Sequence, residues 1–405
     1  MKPKVLMAAY TNYRRDPRVR REAEALVDAG YDVVFLASRQ PNEPNREVIE
    51  GVQVVKVPRL NDRRTSTAAY ILDYLIFFFA LLVHVSVRPR RYRLIHINNM
   101  PDFLVFATAM PRSLGVPVIH DIHDLMPELF AEKFAAGPDH WLVRLLFAQE
   151  RWAGRMASAV LTVEDRLKSI LSGRGIPEEK IRVLLNLPDE RIFSPLQSSN
   201  EKSPSDPFVL VYHGTLARRL GLDIAIRAVA EIGARIPALE LRIIGAGEER
   251  EPLLKLRDEL GLQDRVTFSE GYVPVETIPG LLADADVGIV PLRVSDGTDI
   301  MLPTKLLEYV SLGIPCVVPA TGTIRRYFDE EMVRFFEAED HASLADALVD
   351  LYERPEYRRS IAEQATERFG RAHRWSEHKK IYLGLVSELV GKRSCSAADD
   401  RPMPK

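Results

Sequence analysis

The chain has 405 residues, 46% hydrophobic and 28% charged, with a formal net charge of −2. That length suits about two domains of ordinary globular composition, and so small a net charge provides no field that would gather nucleic acid. Its two cysteines, Cys316 in an apolar run and Cys395 in a polar one, argue against a disulfide framework or a thiolate metal site, and fit a reducing compartment.

The N-terminus runs from Met1 straight into a strand-like segment, without the apolar stretch and small-residue cleavage site of a signal peptide, so a cytoplasmic location is expected. Near-continuous apolar runs at 5–9, 33–37, 52–57, 94–97, 116–122 and 160–163 read as parallel strands buried on both faces. Helical patterns at 17–29, 103–114 and 141–156 lie between them, and this alternation predicts a doubly wound α/β sheet. The stretch up to Pro207 is rich in proline, serine and asparagine and reads as an interdomain linker. A second series follows, with strands at 209–212, 241–244, 266–268, 287–290 and 316–318 and helices at 222–232, 249–260, 304–312 and 342–352. The predicted division is a first domain over 1–193, a linker over 194–207 and a second domain over 208–372. A helix at 373–392, returning to the first domain, and a disordered tail at 393–405 complete it. Ligands of such sheets bind beyond the carboxyl ends of the strands, which predicts a site in a cleft between the two domains.

The segment 70–87, followed by Arg88, Arg90, Arg91 and Arg93, is almost wholly apolar. It reads as a helix packed on the first sheet, as an interfacial helix with arginines facing anionic headgroups, or as a membrane span. Asp73 and His84 inside it make a clean span expensive.

Taken in chain order, five places carry polar chemistry. In the loop before the first helix, Asp16 is an N-cap with Pro17 at the first position, and Asn12 and Arg18 are candidates to face a ligand. The segment 117–128 holds His120, Asp121, His123 and Asp124. Strand alternation points His120 and Ile122 one way and Asp121 and His123 the other, which argues against a shared metal; His120 reads as a satisfied core residue, and Asp121 and Asp124 can orient the His123 imidazole. At 211–223 a strand ends in Gly214 and Thr215, and Arg218 and Arg219 in the following loop suit a diphosphate. The Gly245–Gly247 turn lacks the third glycine of a dinucleotide fingerprint, since position 250 is Arg250, so a nicotinamide cofactor is disfavoured. Asp284 and Asp286 spell an acidic pair that reads as a helix end rather than a metal site.

The most informative segment is 296–315. Pro303 starts a helix whose free N–H groups make an anion site. Lys305 adds a charge in the first turn, Glu308 can accept two hydrogen bonds from a ribose diol, and Gly313 ends the helix. The bland alternative is an amphipathic helix between two strands.

With these motifs the chain resembles the GT-B glycosyltransferases, and within them the retaining family 4, from residue 5 to residue 389. The resemblance implies two Rossmann-like doubly wound parallel-sheet domains facing a cleft. It implies that Glu308 holds the donor ribose, and that Arg218 or Arg219, Lys305 and the helix start at Thr304 neutralise the leaving diphosphate. By the same resemblance, Gly214, Thr215, Gly245 and Gly247 lie along the donor nucleotide and the main chain at Tyr272 and Val273 reads the base. His123 faces the donor sugar; Asn12, Arg18 and Asp124 are acceptor-side candidates. The family often carries a glutamate where this chain has Ile300, with Asp299 beside it as a donor candidate; Leu220 stands at its usual lysine, one residue after Arg219. The expected partners are a nucleotide-sugar donor and a glycan or lipid-linked acceptor in envelope or exopolysaccharide synthesis. No cofactor, metal or nucleic acid is expected. Residues 70–93 suggest a peripheral contact on the inner face of the cell membrane. The rival readings are a non-hydrolysing sugar-nucleotide 2-epimerase and a transferase-like subunit without turnover.

Overall fold

The computed structural model describes residues 2–59, 67–134, 137, 139–196 and 206–399. The chain forms two compact units, Met1–Asn186 with Glu377–Lys405, and Leu187–Ser376. Both are built on largely parallel sheets with helices packed on them.

The first unit holds an eight-stranded sheet: β1 (Lys4–Ala8), β2 (Asp32–Ser38), β3 (Arg46–Ile49), β4 (Val52–Val57), β5 (Leu94–Asn98), β6 (Val118–Ile122), β7 (Ala159–Thr162) and β8 (Ile181–Val183). Their order is β3-β4-β2-β1-β5-β6-β7-β8, and only β3 and β4 pair antiparallel. The central strands β1, β5, β6 and β7 are buried along almost their whole length, as parallel strands covered on both faces are, and β5 and β6 bury the polar His96, Asn98, His120 and Asp121 with them. The edge strand β3 was not expected from sequence, because only Val48 and Ile49 of its four residues are apolar. Turn chemistry makes it: Glu50 and Gly51 both take positive φ, at 47° and 80°, the two-residue geometry that matches strand twist in a hairpin.

The apolar helix spans Thr67–Ser86. Asp73, Phe77, Leu81 and Val85, spaced by four, are buried, whereas Ile71, Leu72, Leu75, Phe79 and Val83 are exposed. Asp73 and His84 both find partners: Tyr10 Oη donates to Asp73 at 3.3 Å, and His84 Nε2 lies 2.7 Å from Tyr92 Oη. No described helix is long and apolar enough to cross a membrane. The helix predicted at 103–114 is instead a 3-10 segment, Asp102–Thr108, leading into one α-helical turn and a half, Ala109–Ser113.

The second unit carries six parallel strands: β9 (Phe208–His213), β10 (Leu239–Ile244), β11 (Val266–Phe268), β12 (Val287–Ile289), β13 (Cys316–Pro319) and β14 (Arg334–Phe336), ordered β11-β10-β9-β12-β13-β14. The first unit ends at Asn186, before the sequence boundary at 193, because Leu187 and Phe193 are buried and Leu196 N–H donates to Leu312 C=O at 3.2 Å within the second. Of the expected linker, residues 197–205 lie outside the described residues. The terminal helix runs from Trp375 to Asp399, seven residues into the stretch expected to lack structure; once a helix is nucleated, extending it through residues such as Ala397 and Ala398 is inexpensive. From Glu377 onward it packs in the first unit, where Tyr382 is fully buried. Residues 400–405 of the expected tail lie outside the described residues.

Candidate active site

In each sheet the chain reverses its winding once, between β1 and β5 in the first unit and between β9 and β12 in the second. Loops on either side of such a reversal part, and ligands enter there.

In the first unit a pocket lies at that reversal. It is lined by Tyr10 and Thr11 after β1, Asn98 and Asn99 at the end of β5, His123 and Asp124 after β6, and Asp16 and Arg18 of the first helix. Asp16 caps that helix, accepting from Arg18 N–H at 3.2 Å, and also holds the Arg18 guanidinium at 3.1 Å. Asn12 does not line the pocket. It caps the short turn Tyr13–Arg15 and donates to Glu43 at 2.9 Å, so its polar groups are spent on holding the loop.

His123 is buried, and its Nε2 donates to Asp121 Oδ2 at 2.9 Å. Asn99 fixes the turn, accepting from His123 N–H at 3.0 Å and donating to Asp124 C=O at 2.7 Å. Burial disfavours a charged imidazole, but the Asp121 carboxylate outweighs it and raises the His123 pKa. Nδ1 of His123 has no hydrogen-bond partner among the described residues, and neither polar atom of Asn98 does. His120 points to the other face, as expected, but is not satisfied: both ring nitrogens lack a hydrogen bond among the described residues, and Asp102 Oδ1 is 3.5 Å away. Among the described residues one trio, Glu22, His96 and Asp121, brings ligand-type atoms within 4.8 Å of one another. Asp121 in that trio already receives His123.

In the second unit the loops after β9 and β10 press together. A Cβ on Gly245 would sit 1.9 Å from Gly214 O, and one on Gly247 would sit 2.1 Å from Leu216 O, so both positions exclude any side chain. Gly214 N–H donates to Ile244 C=O at 2.9 Å and Leu216 N–H to Ala246 C=O at 3.0 Å. Tyr212 Oη donates to Thr215 C=O at 2.6 Å. Ser269 Oγ accepts from Gly245 N–H at 2.8 Å, just before exposed Tyr272 and half-buried Val273.

Beside these loops starts the helix Thr304–Leu312. Pro303 stands at its N-cap and offers no side-chain cap, so its first N–H groups remain open toward the loops. Gly313 closes it at φ 78°. Lys305 Nζ lies 4.7 Å from the centroid of the Tyr212 ring, a cation–π contact. Burial lowers the Lys305 pKa to about 8, opposed by Glu308 and reinforced by Arg219. Arg219 is therefore the guanidinium in the field of Lys305; Arg218 is exposed. Glu308 binds His213 Nε2, at the end of β9, through Oε2, which leaves Oε1 for a ligand. Ile300 is buried, and Asp299 Oδ1 accepts from Gly322 N–H at 2.7 Å, capping the following turn. Asp286 accepts from Val209 N–H at 2.8 Å and Asp284 pairs with Arg242, so each carboxylate of the acidic pair has a partner in the second unit.

Sequence reasoning missed His213, Asn98, Asn99, His96 and Glu22. The polar run His96–Asn99 at the end of an apolar strand was the available signal for three of them. His213 stood inside a motif already singled out, yet its contact with Glu308 spans 95 positions.

The family model for the glycosyl transferase 4-like domain matches residues 16–186, and that for glycosyl transferases group 1 matches residues 194–368. An alpha-D-kanosaminyltransferase of Streptomyces kanamyceticus is 26% identical over 67% of this chain and 70% of its own. A GDP-mannose-dependent alpha-(1-6)-phosphatidylinositol monomannoside mannosyltransferase of Mycolicibacterium smegmatis is 31% identical over 47% of this chain and 50% of its own. Among solved structures, a sucrose-phosphate synthase from Thermosynechococcus elongatus superposes with a TM-score of 0.79 at 19% identity, covering 96% of this chain and 100% of that one. Anabaena HepE in complex with UDP-glucose gives 0.68 at 16% identity, with 95% and 99% covered.

Proposed function

Because this chain belongs to the glycosyl transferases group 1, as a GT-B enzyme of the family 4 type, we propose that it moves a sugar from a nucleoside-diphosphate sugar to a glycan or lipid-linked acceptor of the cell envelope, with retention. The observation that carries the donor half is the meeting of an open helix start, Lys305, Arg219 and the half-free carboxylate of Glu308 beside the glycine loops after β9 and β10. Anion and diol are the two recognition problems of a nucleoside diphosphate, and they are answered here within one turn of helix.

In this reading the nucleotide lies along Gly214, Thr215, Gly245 and Gly247, with the base at Tyr272 and Val273. Glu308 Oε1 takes the ribose hydroxyls while His213 fixes the other oxygen. Lys305, Arg219 and the N–H groups from Thr304 onward stabilise the departing diphosphate, so the transfer needs no divalent metal. His123 offers Nδ1 to a sugar hydroxyl, with Arg18 and Asp124 on the same pocket wall as acceptor-side groups. Asp299 acts on the donor only through the loop it caps. Retention rests on the family type, and the envelope pathway on relatives such as the putative colanic acid biosynthesis glycosyltransferase WcaL of Escherichia coli, 30% identical over 40% of this chain.

The exposed apolar stripe of Thr67–Ser86, with Arg88, Arg90, Arg91 and Arg93 beyond it, supports a peripheral contact with an anionic membrane on the cytoplasmic side. Trp141, Leu145 and Trp152 add a second exposed apolar group, on a helix that packs against the same 3-10 segment.

The donor assignment is tested by calorimetric titration of UDP, GDP and ADP into wild type and Glu308→Ala without added metal. One nucleotide should bind, and the variant should weaken it by about 10- to 100-fold, the worth of one or two hydrogen bonds to a charged group. Equal affinity in the variant would sink the ribose assignment.

A further inference from the structure

Behind His123, away from the pocket, the first unit buries a line of ionisable groups that glycosyl transfer as described leaves unused. His96 on β5 is fully buried. Its Nδ1 lies 2.9 Å from the Tyr382 hydroxyl of the terminal helix, and its Nε2 faces Asp121 Oδ2 at 3.4 Å and Glu22 Oε2 at 4.0 Å. Asp121 Oδ2 is the atom that also holds His123 Nε2. Neither oxygen of Glu22, 1% exposed, has a hydrogen bond among the described residues. A carboxylate so placed is costly when ionised and unpaired.

We propose that His96, Glu22 and Tyr382 are positioning residues for His123, a buried chain that fixes which proton each imidazole carries and so keeps His123 Nδ1 presented to the pocket. The buried chain starts at Tyr382. Burial keeps its hydroxyl protonated, so it donates to His96 Nδ1. His96 then carries its own proton on Nε2, directed at Asp121. Asp121 Oδ2 accepts from His123 Nε2 and has His96 Nε2 facing it at 3.4 Å, both of which favour its ionised form. That ionised carboxylate in turn holds the proton on His123 Nε2 and fixes the ring plane. Glu22 is pushed up to about 7 by burial and by Asp121. It therefore stays neutral beside Asp121 at lower pH and adds a second negative charge above that. The charged groups facing His123 from the surrounding elements are Asp16, Arg18 and Glu22 on the first helix segment, Asp121 and Asp124 on β6 and its loop, with His96 behind Asp121 on β5. Only Arg18 opposes protonation.

This rests on reading His123 as the sugar-facing group, but its test needs neither donor nor acceptor, so the two can fail separately. The full chain, labelled with 15N-histidine, is titrated by long-range proton–nitrogen spectroscopy from about pH 5 to 9, the range over which histidine changes charge. Wild type should show the His96 proton on Nε2, and His123 titrating above the ordinary histidine value. In Tyr382→Phe, which keeps the ring that fills the site, His96 should lose its single tautomer. In both Tyr382→Phe and His96→Gln the His123 midpoint should fall by about half a unit to one unit, as expected when a neighbouring carboxylate is less firmly held. Glu22→Gln should leave the His96 tautomer intact and remove any second step near neutrality. Two folded variants with an unmoved His123 midpoint would overturn the proposal, as would a wild-type His96 protonated on Nδ1. Saturable Zn2+ binding to wild type that Glu22→Gln abolishes would also overturn it, because a cation at that trio displaces the shared protons.

Discussion

Lys305 is held over the Tyr212 ring with Glu308 and Arg219 in its field, and burial brings its pKa to about 8. A diphosphate brought beside it favours the ammonium form and raises that value. Binding is therefore strongest where Lys305 is already charged, below about pH 8, and is coupled to proton uptake above it. The affinity for a nucleoside diphosphate should fall as pH rises through 8, by up to about tenfold per unit once the lysine is neutral. Lys305→Met should bind more weakly and lose this slope. Calorimetry in two buffers of different ionisation enthalpy measures both; a wild type with constant affinity to pH 9 would remove Lys305 from the anion site. At this scale Lys305 and Glu308 were legible because a helix start, a first-turn cation and a carboxylate one turn on lie within six residues of sequence. His213, which holds Glu308, was not, because that contact is made between a strand end and a helix far apart in the chain.

The helix Thr67–Ser86 is apolar all round in sequence, and nothing in that composition says which side is buried. Its docking decides: positions 73, 77, 81 and 85 face inward, and Leu75, Phe79 and Val83 are left 40%, 57% and 60% exposed. If these side chains enter a bilayer interface, replacing Leu75 and Phe79 with Ser removes about 3 kcal/mol of apolar burial there. Partitioning onto vesicles of anionic lipid should then drop by at least about tenfold with the thermal midpoint unchanged, since the lost groups already face solvent. Added salt should weaken wild-type binding through the arginines beyond the helix. Variant and wild type sedimenting equally with vesicles would exclude this face. Three of the four edge strands escaped the sequence reading: β3, β8 and β14 are three or four residues long, which gives a periodicity little room to declare itself.

For the whole molecule, the division at Asn186 and Glu377 makes the second unit one continuous segment and the first a discontinuous one. The residues proposed above to hold the nucleotide, from Gly214 to Glu308, lie between 187 and 376. Expressed alone, residues 187–376 should unfold in a single cooperative transition and bind the same nucleotide within about threefold of the full chain, as a unit with its own core does. Ending the chain at Ser376 should destabilise the first unit specifically, since Tyr382 and Val386 are buried in it. An unfolded 187–376 fragment would mean that the two units do not fold independently.

The order of apolar runs and helical patterns in the sequence determined that two doubly wound parallel sheets would form, because a strand buried on both faces has to be apolar throughout and the crossover between parallel strands has to be long. Local spacing also determined the helix Thr304–Leu312 with its open start and glycine end. The tertiary structure alone decided which polar groups meet: Glu308 with His213, Gly245 against Gly214, and His123 with Asp121, His96 and, from the far end of the chain, Tyr382. Those contacts join residues up to 286 positions apart, and hydrogen bonds of that kind are fixed by how the strands are ordered in the sheet, which no local pattern of residues encodes.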